Sequence, residues 1–288
     1  MYKEIINQCS TASPAVTLTV RDSSGVFPDE LILKIFSHLT LGELGRCALV
    51  NRKWNRLAGD DHLQNIHVRR ECKQLEQAKR FVGPDTWKKY IGDVGEFPPP
   101  PENILEILNS PCPWTKGKKV KETHILGLIP AKVDDKPLTI NLIGELVKSP
   151  KNGGNRTEYC HIWDQISTVY GNQASKASYW VLMTNRVFIV WSILGGGTSR
   201  SEQIDYVKSH KGYQVSKLIE AVFLNFMLKV SYGEKILDGV PWTRTCCEEQ
   251  TVDGKLVVVG FPADLGIIVD RDYHTDYGFV AVQRFCGS

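Results

Sequence analysis

Apolar residues near the N-terminus recur at helical spacing in three short stretches. The first stretch carries Leu31, Ile32, Ile35, Phe36 and Leu39, and this periodicity predicts an amphipathic helix. Thr40 and Glu43 have the spacing of a capping box, so a second helix is predicted to begin after Thr40. A third short helix is predicted over residues 51–58, with Trp54 and Leu57 on one side. The pattern therefore predicts three helices between residues 26 and 64.

The periodicity changes after residue 64. A charged stretch with sparse apolar positions predicts a helical linker over residues 65–83. From there to the C-terminus, helical patterns such as Tyr159–Tyr170 are interspersed with short β-branched and aromatic runs such as Thr123–Ile129. Two strands are predicted within Tyr179–Leu194, around a polar turn. The chain is therefore predicted to be an α+β protein with a loose leader (1–25), the three-helix module (26–64), the linker (65–83) and a mixed α+β domain (84–288).

Composition and charge exclude several classes of protein. Lys and Arg exceed Asp and Glu by 35 − 32, a net charge of +3 over 288 residues, which gives no support for a nucleic-acid partner held by bulk charge. No apolar run reaches the roughly 18 residues of a membrane span, and no membrane partner is expected. The eight cysteines are scattered, which favours reduced thiols over a disulfide framework. No short-spaced Cys or His pair predicts a zinc site, and no other cofactor is expected.

Residues 27–63 carry the elements of one known motif in order. The segment begins Phe27-Pro-Asp-Glu-Leu, continues through two apolar helices with a polar break, and then runs Val50-x-x-x-Trp54 to a trailing Leu63. This segment resembles the F-box. Phe27 stands where the family usually has Leu, and Leu63 is not followed by the common Trp. Neither departure removes an expected helix, so the resemblance predicts an F-box module over residues 26–64.

The F-box resemblance implies a partner and no catalytic residue. In that family the module binds a Skp-family adaptor, which links it to the cullin and RING subunits of a ubiquitin ligase. The residues implied to face the adaptor are Pro28, Leu31, Ile32, Ile35, Leu39, Leu44, Val50, Trp54 and Leu57. About forty residues in three short helices cannot bury all of their apolar surface alone. The adaptor would bury the remaining apolar surface by receiving one helix of the module in a groove.

The C-terminal domain would capture an unknown protein substrate. It shows no leucine-rich, Trp-Asp or Kelch repeat. The segments from Gly95 to Pro101 and from Leu108 to Trp114 resemble F-box proteins of intracellular bacteria that live in protists. That resemblance implies an effector acting in the host cytosol, and the location expected in either case is cytoplasmic.

Two other functions stay open from the sequence. Cys112 with His124, or Cys160 or Cys246 with His161, could supply the nucleophile and base of a cysteine-dependent enzyme that its N-terminal helices localise. No family-specific sequence surrounds these residues. The other alternative is a scaffold that binds the adaptor without directing degradation.

Overall fold

The computed structural model describes residues 27–187, 200–234, 244–260, 266–272 and 278–285. The predicted leader and most of the second strand predicted within Tyr179–Leu194 lie outside these residues. The chain divides into two compact units, and the division falls between His67 and Val68. The predicted α+β class is confirmed, with helices alone at the N-terminus and sheets with helices after them.

The first unit is built from short helices around a small apolar core. Its helices are α1 (Asp29–Phe36), α2 (Leu41–Ala48), α3 (Arg52–Ala58) and the first part of α4 (Asp61–Gln77). The core side chains are those of Ile32, Phe36, Leu44, Ala48, Leu57, Ala58 and Leu63. They come from every helix of the unit, so its one core fixes the helices against one another.

Side-chain caps set where the helices of the first unit begin. Thr40 accepts a hydrogen bond from the backbone N–H of Glu43, and the Glu43 carboxylate accepts one from the backbone N–H of Thr40. The predicted capping box is therefore confirmed. Asn51 accepts a hydrogen bond from the N–H of Trp54 at 2.9 Å and so caps α3. These caps satisfy N–H groups that a helix leaves without partners in its first turn.

Among the described residues, the second unit contains two five-stranded sheets and one two-stranded sheet. Its remaining helices are α5 (Pro84–Tyr90), α6 (Ile104–Asn109), α7 (Val120–Thr123), α8 (Ile140–Leu146), α9 (Asp164–Val169), α10 (Arg200–Ser209) and α11 (Leu218–Tyr232). Its strands are β1 (Phe81–Val82), β2 (His124–Ile129), β3 (Lys132–Val133), β4 (Lys136–Pro137), β5 (Tyr159–Ile162), β6 (Tyr179–Thr184), β7 (Gln214–Val215), β8 (Arg244–Gln250), β9 (Leu256–Gly260), β10 (Ile267–Asp272), β11 (Gly278–Phe279) and β12 (Ala281–Phe285).

Each of the two larger sheets has five strands. The first has the order β1-β2-β6-β12-β7, and only the β1–β2 pair is parallel. The second has the order β11-β8-β9-β10-β5, with parallel pairs at both edges. Strands β3 and β4 form a separate two-stranded hairpin.

Helix α11 packs against both larger sheets. It contacts β1 and β2 of the first sheet and β8, β9 and β10 of the second. Eleven of its side chains are buried around the whole helix, as expected of a helix that has no solvent-facing side. Close packing extends to the strands, because a Cβ added at Gly127 would lie 2.3 Å from Leu224 of α11.

A buried ion pair anchors the first turn of α11. Glu220 is fully buried, and its carboxylate pairs with Arg284 of β12 at 2.6 Å. The same carboxylate accepts hydrogen bonds from the Tyr179 hydroxyl and from the backbone N–H of Lys217. Four polar groups from three segments therefore satisfy one another at the start of the central helix.

The helix predicted over Tyr159–Tyr170 is wrong for its first part. Residues Tyr159–Ile162 form β5, and helix α9 begins only at Asp164. Strand β5 pairs in parallel with β10, which lies more than a hundred residues later in the chain. This distant pairing overrides the local helical periodicity.

Candidate protein-interaction surface

Exposed large apolar side chains concentrate at the start of the described chain. Five of the eight in the described residues belong to the first unit. Their exposed fractions are Phe27 53%, Leu31 48%, Ile35 56%, Leu49 62% and Val50 57%. We call these five residues the apolar surface. A cluster of this kind on a small module is typical of a surface that a partner covers.

Helix α1 has a buried stripe and an exposed stripe side by side. Leu31 and Ile35 are four residues apart on α1 and so lie along one face, and Phe27 stands two residues before the helix begins. Ile32 and Phe36 stand one position further on, and both are almost fully buried. One turn of helix per 3.6 residues places the two stripes about 100° apart. The same short helix therefore builds the core with one stripe and presents apolar surface with the other.

Ion pairs connect the start of α1 with α3. The Lys53 ammonium donates to the Phe27 carbonyl oxygen at 2.9 Å and pairs with Asp29 at 2.9 Å. Arg56 pairs with the other carboxylate oxygen of Asp29 at 2.6 Å. The hydrogen bond from Lys53 and its positive charge hold the pKa of Asp29 below its usual value. These contacts hold α3 against the start of α1, and Val50 lies two residues before α3 begins.

Trp54 supports the apolar surface from within. Its ring packs edge-on against Phe36, with ring centroids 5.4 Å apart and an interplanar angle of 80°. The side chain is partly buried, and its Nε1 has no hydrogen-bond partner among the described residues. Edge-on aromatic pairs add stability beyond the area that they bury. Trp54 therefore helps to fix Phe36 and, through it, the direction of α1.

The nine residues predicted to face an adaptor occupy three environments. Pro28, Leu31, Ile35 and Val50 are exposed, and Leu39 and Trp54 are partly buried. Ile32, Leu44 and Leu57 lie in the core and present no accessible side chain in this conformation. Sequence reasoning did not select Phe27 and Leu49. Phe27 could have been found because it is a large apolar residue directly before the helix that carries Leu31. Leu49 could have been found because it is apolar and adjoins Val50, which was predicted.

The structure places His124 against a tyrosine in the interior of the second unit. Its Nε2 lies 3.0 Å from the Tyr213 hydroxyl, and its Nδ1 lies 3.2 Å from the Val120 carbonyl oxygen. Nδ1 also lies 2.9 Å from the Thr123 hydroxyl. Burial lowers the pKa of His124 to about 4, so the ring is neutral near pH 7. Both ring nitrogens are engaged, and Cys112 is itself buried, so this pair lacks the open base that a catalytic thiol needs.

The second cysteine–histidine candidate is arranged differently. Cys160 and His161 are both exposed on β5, and consecutive residues of a strand point to opposite faces. Their side chains therefore do not face each other. Cys246 belongs to β8, and its side chain lies outside the described part.

Among the described residues, no group of three or more His, Cys, Asp or Glu side chains could hold a metal ion. No helix in the same ranges is long and apolar enough to cross a membrane.

Comparison with known proteins identifies the first unit. Residues 26–65 match the F-box-like family model. No curated protein and no solved structure matches the chain. The first unit is therefore an F-box-like protein-interaction domain, and the apolar surface lies within it.

Proposed function

We propose that this chain is the substrate-recruiting subunit of a Skp-cullin-F-box ubiquitin ligase. The observation that carries the proposal is the apolar surface of Phe27, Leu31, Ile35, Leu49 and Val50, exposed within an F-box-like domain. A Skp-family adaptor would cover this surface and connect the chain to the cullin and RING subunits. The adaptor would act in a helix-in-groove mode, with α1 as the inserted helix.

The apolar surface would supply a large part of the binding free energy. Burying a large aliphatic or aromatic side chain completely contributes about 1.5–3 kcal/mol. Each side chain of the apolar surface is exposed by about half, so the five together would contribute roughly 4–8 kcal/mol. That gain is of the same order as the entropy lost on association, about 4–15 kcal/mol. Further contacts around the apolar surface would have to supply the surplus.

The second unit would hold the target protein. Tethering a target raises the effective concentration of its lysines near a charged ubiquitin-conjugating enzyme. The chain would then need no catalytic residue of its own. A cytoplasmic location and a host-cell role remain predictions from the sequence.

Gel filtration of purified proteins tests the proposal. The full chain is mixed with a Skp-family adaptor and the N-terminal domain of a cullin. The proposal predicts one complex that contains all three proteins. It also predicts that Pro28→Ala with Leu31→Ala removes the chain from that complex.

Other outcomes would contradict the proposal. If the chain does not co-elute with the adaptor, the assignment of the apolar surface is wrong. If the chain and adaptor co-elute but exclude the cullin, the chain is a scaffold that sequesters the adaptor and does not recruit substrates.

A further inference from the structure

The second unit carries a run of prolines on its surface, between α5 and α6. The run is Phe97-Pro98-Pro99-Pro100-Pro101, and it belongs to no helix or strand. We call these five residues the proline strip. Phe97 is 43% exposed and Pro99 is exposed, whereas the other three prolines are partly buried. The strip therefore presents an aromatic ring and a proline ring to solvent.

The sequence of the proline strip restricts its backbone to one conformation. A proline ring holds its own φ at about −65°, and a residue that precedes a proline is confined to extended backbone with ψ of about 120–160°. Both restrictions apply to Pro98, Pro99 and Pro100, and the second applies to Phe97 as well. These angles are those of a polyproline II helix. The strip therefore has the polyproline II conformation before any partner binds.

Two hydrogen bonds hold one side of the strip against the first sheet. The indole N–H of Trp180 in β6 donates to the Pro98 carbonyl oxygen at 2.9 Å. The Ser178 hydroxyl, directly before β6, donates to the Glu96 carbonyl oxygen at 3.2 Å. Trp180 is buried, so the first of these anchors is shielded from solvent. A segment that is fixed in its bound conformation loses little entropy when a partner binds it.

The rest of the strip offers hydrogen-bond acceptors. The carbonyl oxygens of Phe97, Pro99 and Pro100 accept no hydrogen bond from any described residue. A polyproline II helix has no internal hydrogen bonds, so these oxygens stay available to a partner. A groove lined by Tyr and Trp would supply ring faces for the prolines together with O–H and N–H donors for the carbonyls.

Carboxylates flank the strip at both ends. Glu96 precedes it and Glu102 follows it, and both side chains are exposed. Neither carboxylate has an ion pair or a side-chain hydrogen bond within the described ranges. By charge complementarity they favour a partner with Lys or Arg at the rim of its groove and disfavour a groove with an acidic rim.

We propose that the proline strip is the docking segment for a polyproline-binding domain that has an aromatic-lined groove and a basic rim. Domains of the SH3, WW and EVH1 classes bind polyproline II segments in aromatic-lined grooves. Phe97 and Pro99 enter the groove, and Glu96 and Glu102 face the basic rim. The inference goes beyond the proposed function, because binding at the strip needs neither the adaptor nor the apolar surface.

Isothermal titration calorimetry of the full chain with an EVH1 domain that has Lys and Arg at the rim of its groove tests this inference. Saturable binding is expected. Phe97→Ala is expected to weaken binding about 3- to 10-fold, because the exposed part of its ring would no longer be buried. Glu96→Gln together with Glu102→Gln is expected to weaken binding about 2- to 10-fold, with a smaller loss at high salt.

Matched controls use similar side chains away from the strip. Val169→Ala removes an exposed apolar side chain from α9, and Glu158→Gln removes an exposed carboxylate. Both variants are expected to keep the wild-type affinity, and thermal unfolding shows whether each variant folds. An SH3 domain with an acidic groove is expected to bind the wild-type chain more weakly than the EVH1 domain does.

Three results would overturn the inference. They are the absence of saturable binding to the EVH1 domain, equal affinity of the wild type and the folded Phe97→Ala variant, and tighter binding of the acidic SH3 domain. The assay contains no adaptor, so its failure is distinct from failure of the gel-filtration test.

Discussion

Replacing Leu31 and Ile35 together with alanine probes the exposed stripe of α1. Both side chains are about half exposed, at 48% and 56%. Their exposed halves would be buried by an adaptor and lost in the variant. Taking about half of the 1.5–3 kcal/mol of full burial for each residue gives roughly 1.5–3 kcal/mol for the pair. That free energy corresponds to an increase in Kd of about 10- to 150-fold.

The fold should tolerate this double variant. The buried halves of the two side chains are lost as well, so the free energy of unfolding is expected to fall by about 1.5–3 kcal/mol for the pair. The adjacent Ile32 should affect stability alone, because it has almost no exposed surface for an adaptor to bury. It is 2% exposed, and Ile32→Ala is expected to lower the free energy of unfolding by about 2–5 kcal/mol. Changes at Leu31 and Ile35 should therefore weaken adaptor binding, whereas a change at Ile32 should lower the free energy of unfolding.

Isothermal titration calorimetry with a Skp-family adaptor measures the change in Kd, and thermal unfolding of the full chain measures the change in stability. Phe97→Ala is the matched control, since it removes an exposed apolar side chain from the second unit and should leave Kd unaltered. A Kd for the double variant within twofold of the wild-type value would refute the reasoning. Loss of the fold in the double variant would also refute it, because the stripe would then belong to the core.

Three further predictions concern stability. Since burial lowers the pKa of His124 to about 4, stability is present above its unfolded pKa near 6.5 and is lost as pH falls. Lowering the pH from 7.5 to 5 should reduce the free energy of unfolding by about 2 kcal/mol through this residue. The His124→Gln variant should therefore lose less stability than the wild type between urea titrations at pH 7.5 and pH 5, and equal losses would contradict this. Arg284→Ala leaves the buried Glu220 carboxylate without its cation and should cost about 3–5 kcal/mol in the same titration; a cost below 1 would show that the pair is solvated. Thr40→Ala removes a helix cap and should cost about 1 kcal/mol, seen as faster amide hydrogen exchange in α2; unchanged exchange would argue against the cap.

Local signals predicted the first unit well. The capping box at Thr40 and the spacing of apolar residues place all three helices, because these features act within a few residues of one another. Periodicity could not separate the binding residues from the core residues. Leu31 and Ile32 are equally apolar neighbours, and only the packing of α1 against the other helices decides which one is buried.

The second unit depends on distant contacts. Strand β5 exists because β10 pairs with it, and the residues Tyr159–Ile162 carry no local sign of that pairing. An open pocket lined by Trp163, Val252 and Arg271 is assembled in the same way, since these residues come from three separate segments. Contacts between residues so far apart in the chain form only when the rest of the fold brings them together, so local sequence patterns do not reveal them. Sequence reasoning therefore gave the class of the second unit and missed its pocket.

The most direct test of the account is carbene footprinting of the full chain, with and without a Skp-family adaptor. The free chain should be labelled at Leu31, Ile35 and Val50, because about half of each side chain is accessible. Saturating adaptor should suppress labelling at these three residues and leave Phe97 labelled to the same extent. Unchanged labelling of the three residues in the presence of bound adaptor would contradict the claim that the adaptor binds this surface.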